Sequence, residues 1–90
     1  MKYEVRLTTK AESDLLVFEQ SIQKRITRKL QFFAISKNPL NYAKKLKRSH
    51  LGTYRFRIGD YRAIFDIDKK GNINILLILR IKHRREVYDK

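Results

Sequence analysis

The residues able to do chemistry in this chain are mostly cations. Tyr54-Arg55-Phe56-Arg57-Ile58-Gly59-Asp60-Tyr61-Arg62 alternates at a period of two, sending Tyr54, Phe56 and Ile58 to one face and Arg55 and Arg57 to the other. Gly59-Asp60 has the composition of a two-residue hairpin turn, because glycine reaches positive φ without a steric penalty. In that register Ile58 faces Tyr61, and Arg57 lies across from Arg62. Like charges facing each other across a ladder destabilise it, so the pattern predicts an anion between the two guanidinium groups. Arginine suits phosphate, since its planar fork donates two parallel hydrogen bonds and stays charged at any relevant pH. The strand expected beside the hairpin ends in Arg80, Lys82, His83 and Arg84. Such a cluster can stabilise the extra negative charge of a pentacoordinate phosphorane. His83 is of the side-chain type suited to general-base work near neutrality, and Tyr88 offers a phenol as hydrogen-bond donor or acid.

Other chemistries find little material. Three glycines build neither a dinucleotide-binding fingerprint nor a Walker loop. The only histidines are His50 and His83, and Asp60, Asp66 and Asp68 are dispersed, so no metal site and no other cofactor are expected. None of Ser13, Ser21, Ser36 and Ser49 sits on a nucleophile elbow. Without cysteine there is no disulfide and no thiolate ligand.

The elements that must position these groups can be read from periodicity. Residues 2–7 alternate enough for a short strand, and Thr9-Lys10-Ala11-Glu12 has the spacing of a capping box that opens a first helix. Ser21 is the expected cap of a second helix, whose apolar line is Ile22, Ile26, Leu30 and Phe33 and which should end at Asn38-Pro39. Residues 40–52 read as an irregular basic connector containing Lys44, Lys45, Lys47 and Arg48, anchored by Leu46 and Leu51. After the hairpin, Tyr61 to Asp68 forms its second strand, Lys69 to Asn72 a turn, and Ile73 to Ile81 the most apolar strand. The order is β-α-α-β-β-β with a short closing segment. This is an α+β fold with a strand and two helices packed on an antiparallel sheet. No linker divides residues 1–90, so one domain is expected.

Bulk charge points the same way as the hairpin. Twenty-two Lys and Arg against nine Asp and Glu give a formal +13, a field that attracts polyanions. Nucleic acid or an acidic protein is the expected partner. The longest apolar run, Ile75 to Leu79, is five residues, far short of the roughly 18 that a membrane span needs. The first residues lack the apolar stretch of a secretory signal. A cytoplasmic protein with no membrane partner is expected.

The strand and helix order, the Tyr54–Arg62 hairpin, Ile64-Phe65-Asp66-Ile67-Asp68 and the closing His83-Arg84-Arg85-Glu86-Val87-Tyr88 resemble the RelE/ParE superfamily of bacterial type II toxins. The resemblance covers almost the whole chain. It implies a toxin made with an acidic, partly disordered antitoxin, and operator DNA bound through the toxin–antitoxin complex. In the RelE-like branch it implies entry into the ribosomal A site and metal-free cleavage of mRNA by attack of the ribose 2′-OH. Position by position, Arg55 and Arg57 match a basic-x-basic pair that RelE fills with lysines, and Arg62 matches the arginine on the scissile phosphate. Lys82 falls where RelE has an arginine, His83 matches the candidate base of other members, and Tyr88 matches a tyrosine near the C-terminus. Because arginine is a poor general base, the lysine-to-arginine departures leave His83 as the better candidate. Catalysis is thus expected of Arg57, Arg62, His83 and Tyr88. RNA binding is expected of Arg55, Lys82, Arg84, Lys44, Lys45, Lys47 and Arg48. ParE-like members imply the alternative, inhibition of DNA gyrase without nuclease chemistry. A third reading is a non-enzymatic basic module for an acidic partner or DNA.

Overall fold

The computed structural model describes residues 2–47 and 51–87. Strand β1 (Lys2–Leu7) is followed by helices α1 (Thr9–Leu16) and α2 (Gln20–Ile35) and a 3-10 turn (Pro39–Tyr42). Strands β2 (Ala43–Lys45), β3 (Tyr54–Ile58), β4 (Tyr61–Lys70) and β5 (Ile73–His83) come next, then a short helix α3 (Arg84–Val87). The sheet order is β1-β5-β4-β3-β2. β1 runs parallel to β5, and the other pairings are antiparallel. The fold is therefore the expected α+β arrangement, with a mixed rather than wholly antiparallel sheet. Among the described residues, no helix is long and apolar enough to cross a membrane.

Several boundaries differ from the sequence reading. The cap of α1 is Thr8, whose Oγ1 accepts the Ala11 amide at 3.1 Å. Thr9 is excluded from that role because Thr8 is the residue still held by β5, donating its amide to Ile78 O at 3.0 Å and its hydroxyl to Leu79 O at 3.0 Å. Ser21 lies inside the first turn of α2, and Glu19 at the cap makes no side-chain bond. α2 ends at Ile35, where Ser36 turns extended and donates its hydroxyl to Phe33 O at 2.7 Å. Asn38 then caps the 3-10 turn through Leu40 N rather than ending the helix. The connector expected over 40–52 contains β2, which pairs with β3 and is prolonged by Leu46 N donating to Thr53 O at 2.8 Å.

The core lies between the helices and one face of the sheet. Ile26, Leu30 and Phe33 of α2 are buried against Phe56, Phe65, Leu76, Ile78 and Ile81, with Ile22 at the margin. Three aromatic rings form its centre: Phe33 stacks on Phe56 at 4.3 Å between centroids, and Phe56 stacks on Phe65 at 4.2 Å. The apolar line read along α2 is this core contact.

One irregularity sets which way the end of β5 faces. Ile64 pairs with Arg80 while its neighbour Phe65 pairs with Ile78, so Leu79 is an extra residue in β5. Leu76, Ile78 and Ile81 all reach the core despite the odd spacing of the last pair. Without the bulge, strict alternation after Ile78 would send Arg80 and Lys82 into the core and Ile81 out of it. The extra residue turns both cations to the opposite face.

Truncating the central ring tests this packing. Phe56→Ala is expected to cost about 3–5 kcal/mol, the range for buried Phe, read from the shift in urea midpoint at constant slope.

Candidate functional site: the basic outer face of the sheet

The face turned away from the helices carries the candidate site. Arg57 pairs with Arg62 and Ile58 with Tyr61, the register that the hairpin pattern predicts. Gly59 adopts φ +60° in the turn, the conformation for which glycine is suited. Arg62 pairs in turn with Lys82. Arg57, Arg62 and Lys82 thus form a row of three cations across β3, β4 and β5. Directly opposed residues in such a ladder hold their Cβ atoms about 5 Å apart. A neighbouring row runs Lys44, Arg55, Ile64 and Arg80.

The row does not open uniformly to solvent. Arg57 is exposed and Lys82 half-buried, whereas Arg62 is 2% exposed. Arg62 Nη1 donates to the carbonyls of Gly59 at 2.8 Å and Tyr61 at 3.0 Å. The turn therefore orients the guanidinium with neutral dipoles. Among the described residues no carboxylate forms an ion pair with Arg57, Arg62 or Lys82. A buried cation answered only by carbonyls has a deficit of negative charge, which an oxyanion can fill. At 2% exposure Arg62 meets such an oxyanion only after its cover rearranges.

Arg80 has a different role from the cluster role read in the sequence. Asp14 of α1 accepts Arg80 Nε at 2.8 Å, Arg80 Nη2 at 3.0 Å and the backbone amide of Ile81 at 2.9 Å. β1 stops opposite Ile78, so α1 supplies hydrogen-bond partners to the β5 edge beyond it. Burial alone pushes the Asp14 carboxyl up. The Arg80 hydrogen bonds, the Ile81 amide and the charges of Arg80 and Lys82 outweigh burial and hold it below its ordinary value. Asp14 was missed in the sequence reading, although a signal existed. It is an acid in the last turn of a helix, where the dipole disfavours negative charge unless a partner is supplied.

His83 stands apart from the cationic row. It pairs with Tyr61, on the opposite face from Arg62 and Lys82, and meets the Tyr61 ring edge-on at 5.5 Å between centroids. Tyr61 in turn contacts Phe18 at 4.8 Å. The Arg85 amide donates to His83 Nδ1 at 3.3 Å, and the His83 amide donates to Glu86 Oε1 at 3.1 Å. A neutral ring whose Nδ1 accepts a hydrogen bond carries its proton on Nε2. The Arg85 amide thus occupies the acceptor position at His83 Nδ1.

The remaining candidates divide. Arg84 is tied to the hairpin turn, its amide donating to Asp60 O at 2.7 Å and its Nε lying 3.9 Å from Asp60 Oδ1. Both partners of that ion pair are well exposed, so the backbone bond is the firmer tether. Lys44 shares the outer face with Arg55, while Lys45 pairs with Tyr54 on the other face and Lys47 is exposed beyond β2. Gly52 closes over Ile64: a Cβ there would lie 2.7 Å from Ile64 Cγ2. Arg48 and Tyr88 lie outside the described residues.

Comparison with known proteins adds an independent line. A family model described as the ParE toxin of the type II toxin-antitoxin system parDE matches residues 5–88. Toxin RelG of Mycobacterium tuberculosis (strain ATCC 25618 / H37Rv) is 35% identical over 90 residues, covering 100% of both chains. A chain in the RelBE2 toxin-antitoxin complex of Mycobacterium tuberculosis superposes with a TM-score of 0.70 at 33% identity, covering 93% of this chain and 100% of that one. A chain of the RelB-RelE antitoxin-toxin complex from Methanococcus jannaschii gives 0.57 at 30% identity, covering 92% and 94%. One from the archaeal RelE-RelB complex of Pyrococcus horikoshii OT3 shares the fold at 0.66 and 22% identity, covering 93% and 97%.

The Asp14 contact makes a pH-dependent prediction. Its carboxyl is held below the unfolded value, so its stabilisation is complete well above about pH 3.9 and lost as pH falls through the lower folded value. Asp14→Ala is expected to cost about 1–3 kcal/mol near neutrality by stranding the Arg80 and Ile81 donors. The difference from wild type should shrink in urea titrations run towards about pH 3, and a constant difference would contradict the assignment.

Proposed function

This chain belongs to the RelE/ParE superfamily of type II toxin-antitoxin toxins, and from that membership we propose that it is a ribosome-dependent mRNA endoribonuclease. The observation that carries the proposal is the Arg57-Arg62-Lys82 row, which has no carboxylate partner among the described residues. In the proposed reaction the ribose 2′-oxygen attacks the adjacent phosphorus while the bond from phosphorus to the 5′-oxygen breaks. The products are a 2′,3′-cyclic phosphate and a 5′-OH end. Arg57 and Arg62 clamp the phosphate and offset the charge that grows on its oxygens. His83 accepts the 2′-OH proton at Nδ1 after the Arg85 amide releases it, and Tyr88 orients the base or protonates the leaving oxygen. Arg55, Lys82, Arg84, Lys44, Lys45, Lys47 and Arg48 hold the RNA backbone. No step in this scheme calls for a metal ion.

The proposed partners follow from the same membership. Solved relatives at 30% and 33% identity are toxin-antitoxin complexes, which supports a cognate acidic antitoxin for this +13 chain. Operator DNA would be bound through that complex. The proposed toxin is one domain over residues 1–90, acting in the cytoplasm. The match to the ParE model favours a second reading, inhibition of DNA gyrase without nuclease chemistry.

Primer extension on mRNA from cells expressing the protein separates these readings. In-frame cuts at the A site are expected, with Arg62→Ala reducing them about 10²–10³-fold, as for loss of one transition-state donor. His83→Ala should reduce them by about 10²-fold or more. No cuts, with DNA breaks and gyrase inhibition instead, would move the assignment to the ParE-like reading. Growth arrest unaffected by either substitution would point to a binding module.

A further inference from the structure

Arg80 lies on the cationic face but is poorly placed to act as a further phosphate clamp. Asp14 takes its Nε at 2.8 Å and its Nη2 at 3.0 Å, and the two side chains are half-buried together. An incoming phosphate would compete with that carboxylate for the same donors. What the pair leaves is a guanidinium held in one plane. A fixed guanidinium plane is a stacking surface for aromatic rings and for unpaired bases.

The exposed part of Arg80 opens onto a cavity of about 650 Å³, lined also by Thr8, Thr9, Lys10, Leu51 and Leu79. It lies between the start of α1 and the loop that precedes β3. A Cβ at Gly52 would lie 2.7 Å from Ile64 Cγ2 and 2.9 Å from Leu79 Cδ1, so this loop rests on the outer face of the sheet. Leu51 and Leu79 are half-buried and give the cavity an apolar floor. Thr9 and Lys10 are exposed and give its rim a hydroxyl and an ammonium group. The Thr8 hydroxyl is already engaged, by the Ala11 amide and the Leu79 carbonyl. Apolar floor, planar platform and polar rim together match a nucleobase, whose faces stack and whose edges form hydrogen bonds. The volume falls in the range of about 300–1,000 Å³ usual for sites of that size.

Position relative to the cationic row identifies which base. Arg62 pairs with Lys82 and Ile64 with Arg80, so the platform sits two residues along β5 from Lys82. At a strand rise of ~3.3 Å per residue that is about 7 Å. A strand whose phosphate rests on Arg57, Arg62 and Lys82 carries a flanking base within reach of the cavity. We propose that the cavity holds an unpaired base next to the scissile phosphate, stacked on Arg80 and bedded on Leu51 and Leu79. The proposal rests on the ribonuclease reading and deepens it, because a base inside a duplex has no free face to offer the platform. Asp14 becomes a positioning residue, since it fixes the plane on which the base lies.

Missing bases test the cavity without disturbing the protein. The full chain is titrated by fluorescence anisotropy with a 2′-O-methyl RNA of about 4 nucleotides, in which each base in turn is replaced by an abasic sugar. Methylation blocks attack by the 2′-oxygen, so binding is read without cleavage. One position is expected to lose roughly tenfold in affinity when its base is removed. Leu79→Ala and Arg80→Lys should bind the intact strand about as weakly as wild type binds that abasic one, and should be indifferent to the missing base. A variant that simply unfolds would lose the abasic strand as well, so folding and recognition are separated. The same positional loss persisting in both variants would overturn the proposal, because the base would then be held elsewhere. Loss at no position would also overturn it, and Leu79-dependent binding of an acidic leucine-containing peptide would then assign the cavity to a protein partner. Free 5′-AMP binding as tightly as the strand would overturn it in favour of a small-nucleotide site. A cavity confirmed in a protein that leaves mRNA intact would sink the ribonuclease reading alone, whereas A-site cuts without any positional loss would sink the cavity alone.

Discussion

The C-terminal half of β5 has to feed the core and the basic face at once, and a single extra residue lets it do both. Ile78 and Ile81 reach the core, while Arg80 and Lys82 face the other way. A regular strand cannot combine those demands, because its side chains alternate strictly. Leu79 absorbs the mismatch. The arrangement also needs the strand edge to be satisfied beyond the end of β1, and α1 meets that need through Thr8 and Asp14. The same carboxylate neutralises Arg80. Arg80 lies in the neighbouring row, so this pairing leaves Arg57, Arg62 and Lys82 with no ion-paired carboxylate among the described residues.

The few acids of this chain are used in the same selective way. Asp66 accepts the Thr53 amide and steadies the loop over Ile64, Asp60 meets Arg84 at the turn, and Glu86 holds the amide of His83. Asp66 and Glu86 fix backbone beside the candidate site and Asp60 meets the Arg84 side chain at its rim, while none of the three forms an ion pair with Arg57, Arg62 or Lys82. The outcome is a face whose cations are positioned by strand register, and at Arg62 by two carbonyls, with Arg57 open to solvent and Arg62 buried. Repulsion between them is a stability cost that an oxyanion reverses on binding.

Much of this was legible in the chain itself. The hairpin register followed from alternation plus one Gly-Asp turn, and the inward line of α2 from steps of three and four. What escaped depended on partners distant in sequence. Thr8 rather than Thr9 caps α1 because β5 captures Thr8, and no local pattern distinguishes two adjacent threonines. β2 is three residues long and takes its conformation from β3, so its own composition reads as a loop. The Leu79 bulge hides inside a run of leucine and isoleucine that suits either face. His83 was grouped with the arginines by its place in the sequence, but strand parity puts it beside Tyr61 instead. On the proposed ribonuclease reading, that separation leaves the proton-transfer group on the far face of the sheet from the phosphate clamp.

The central claim is that the cationic row acts on a phosphodiester through the neighbouring 2′-OH. The chemistry of newly formed RNA ends tests this most directly, by asking whether they can be ligated before and after polynucleotide kinase treatment. Transesterification predicts 5′-OH ends that become ligatable only after phosphorylation, each matched upstream by a 2′,3′-cyclic phosphate. New 5′-phosphate ends, ligatable without treatment, would contradict the account.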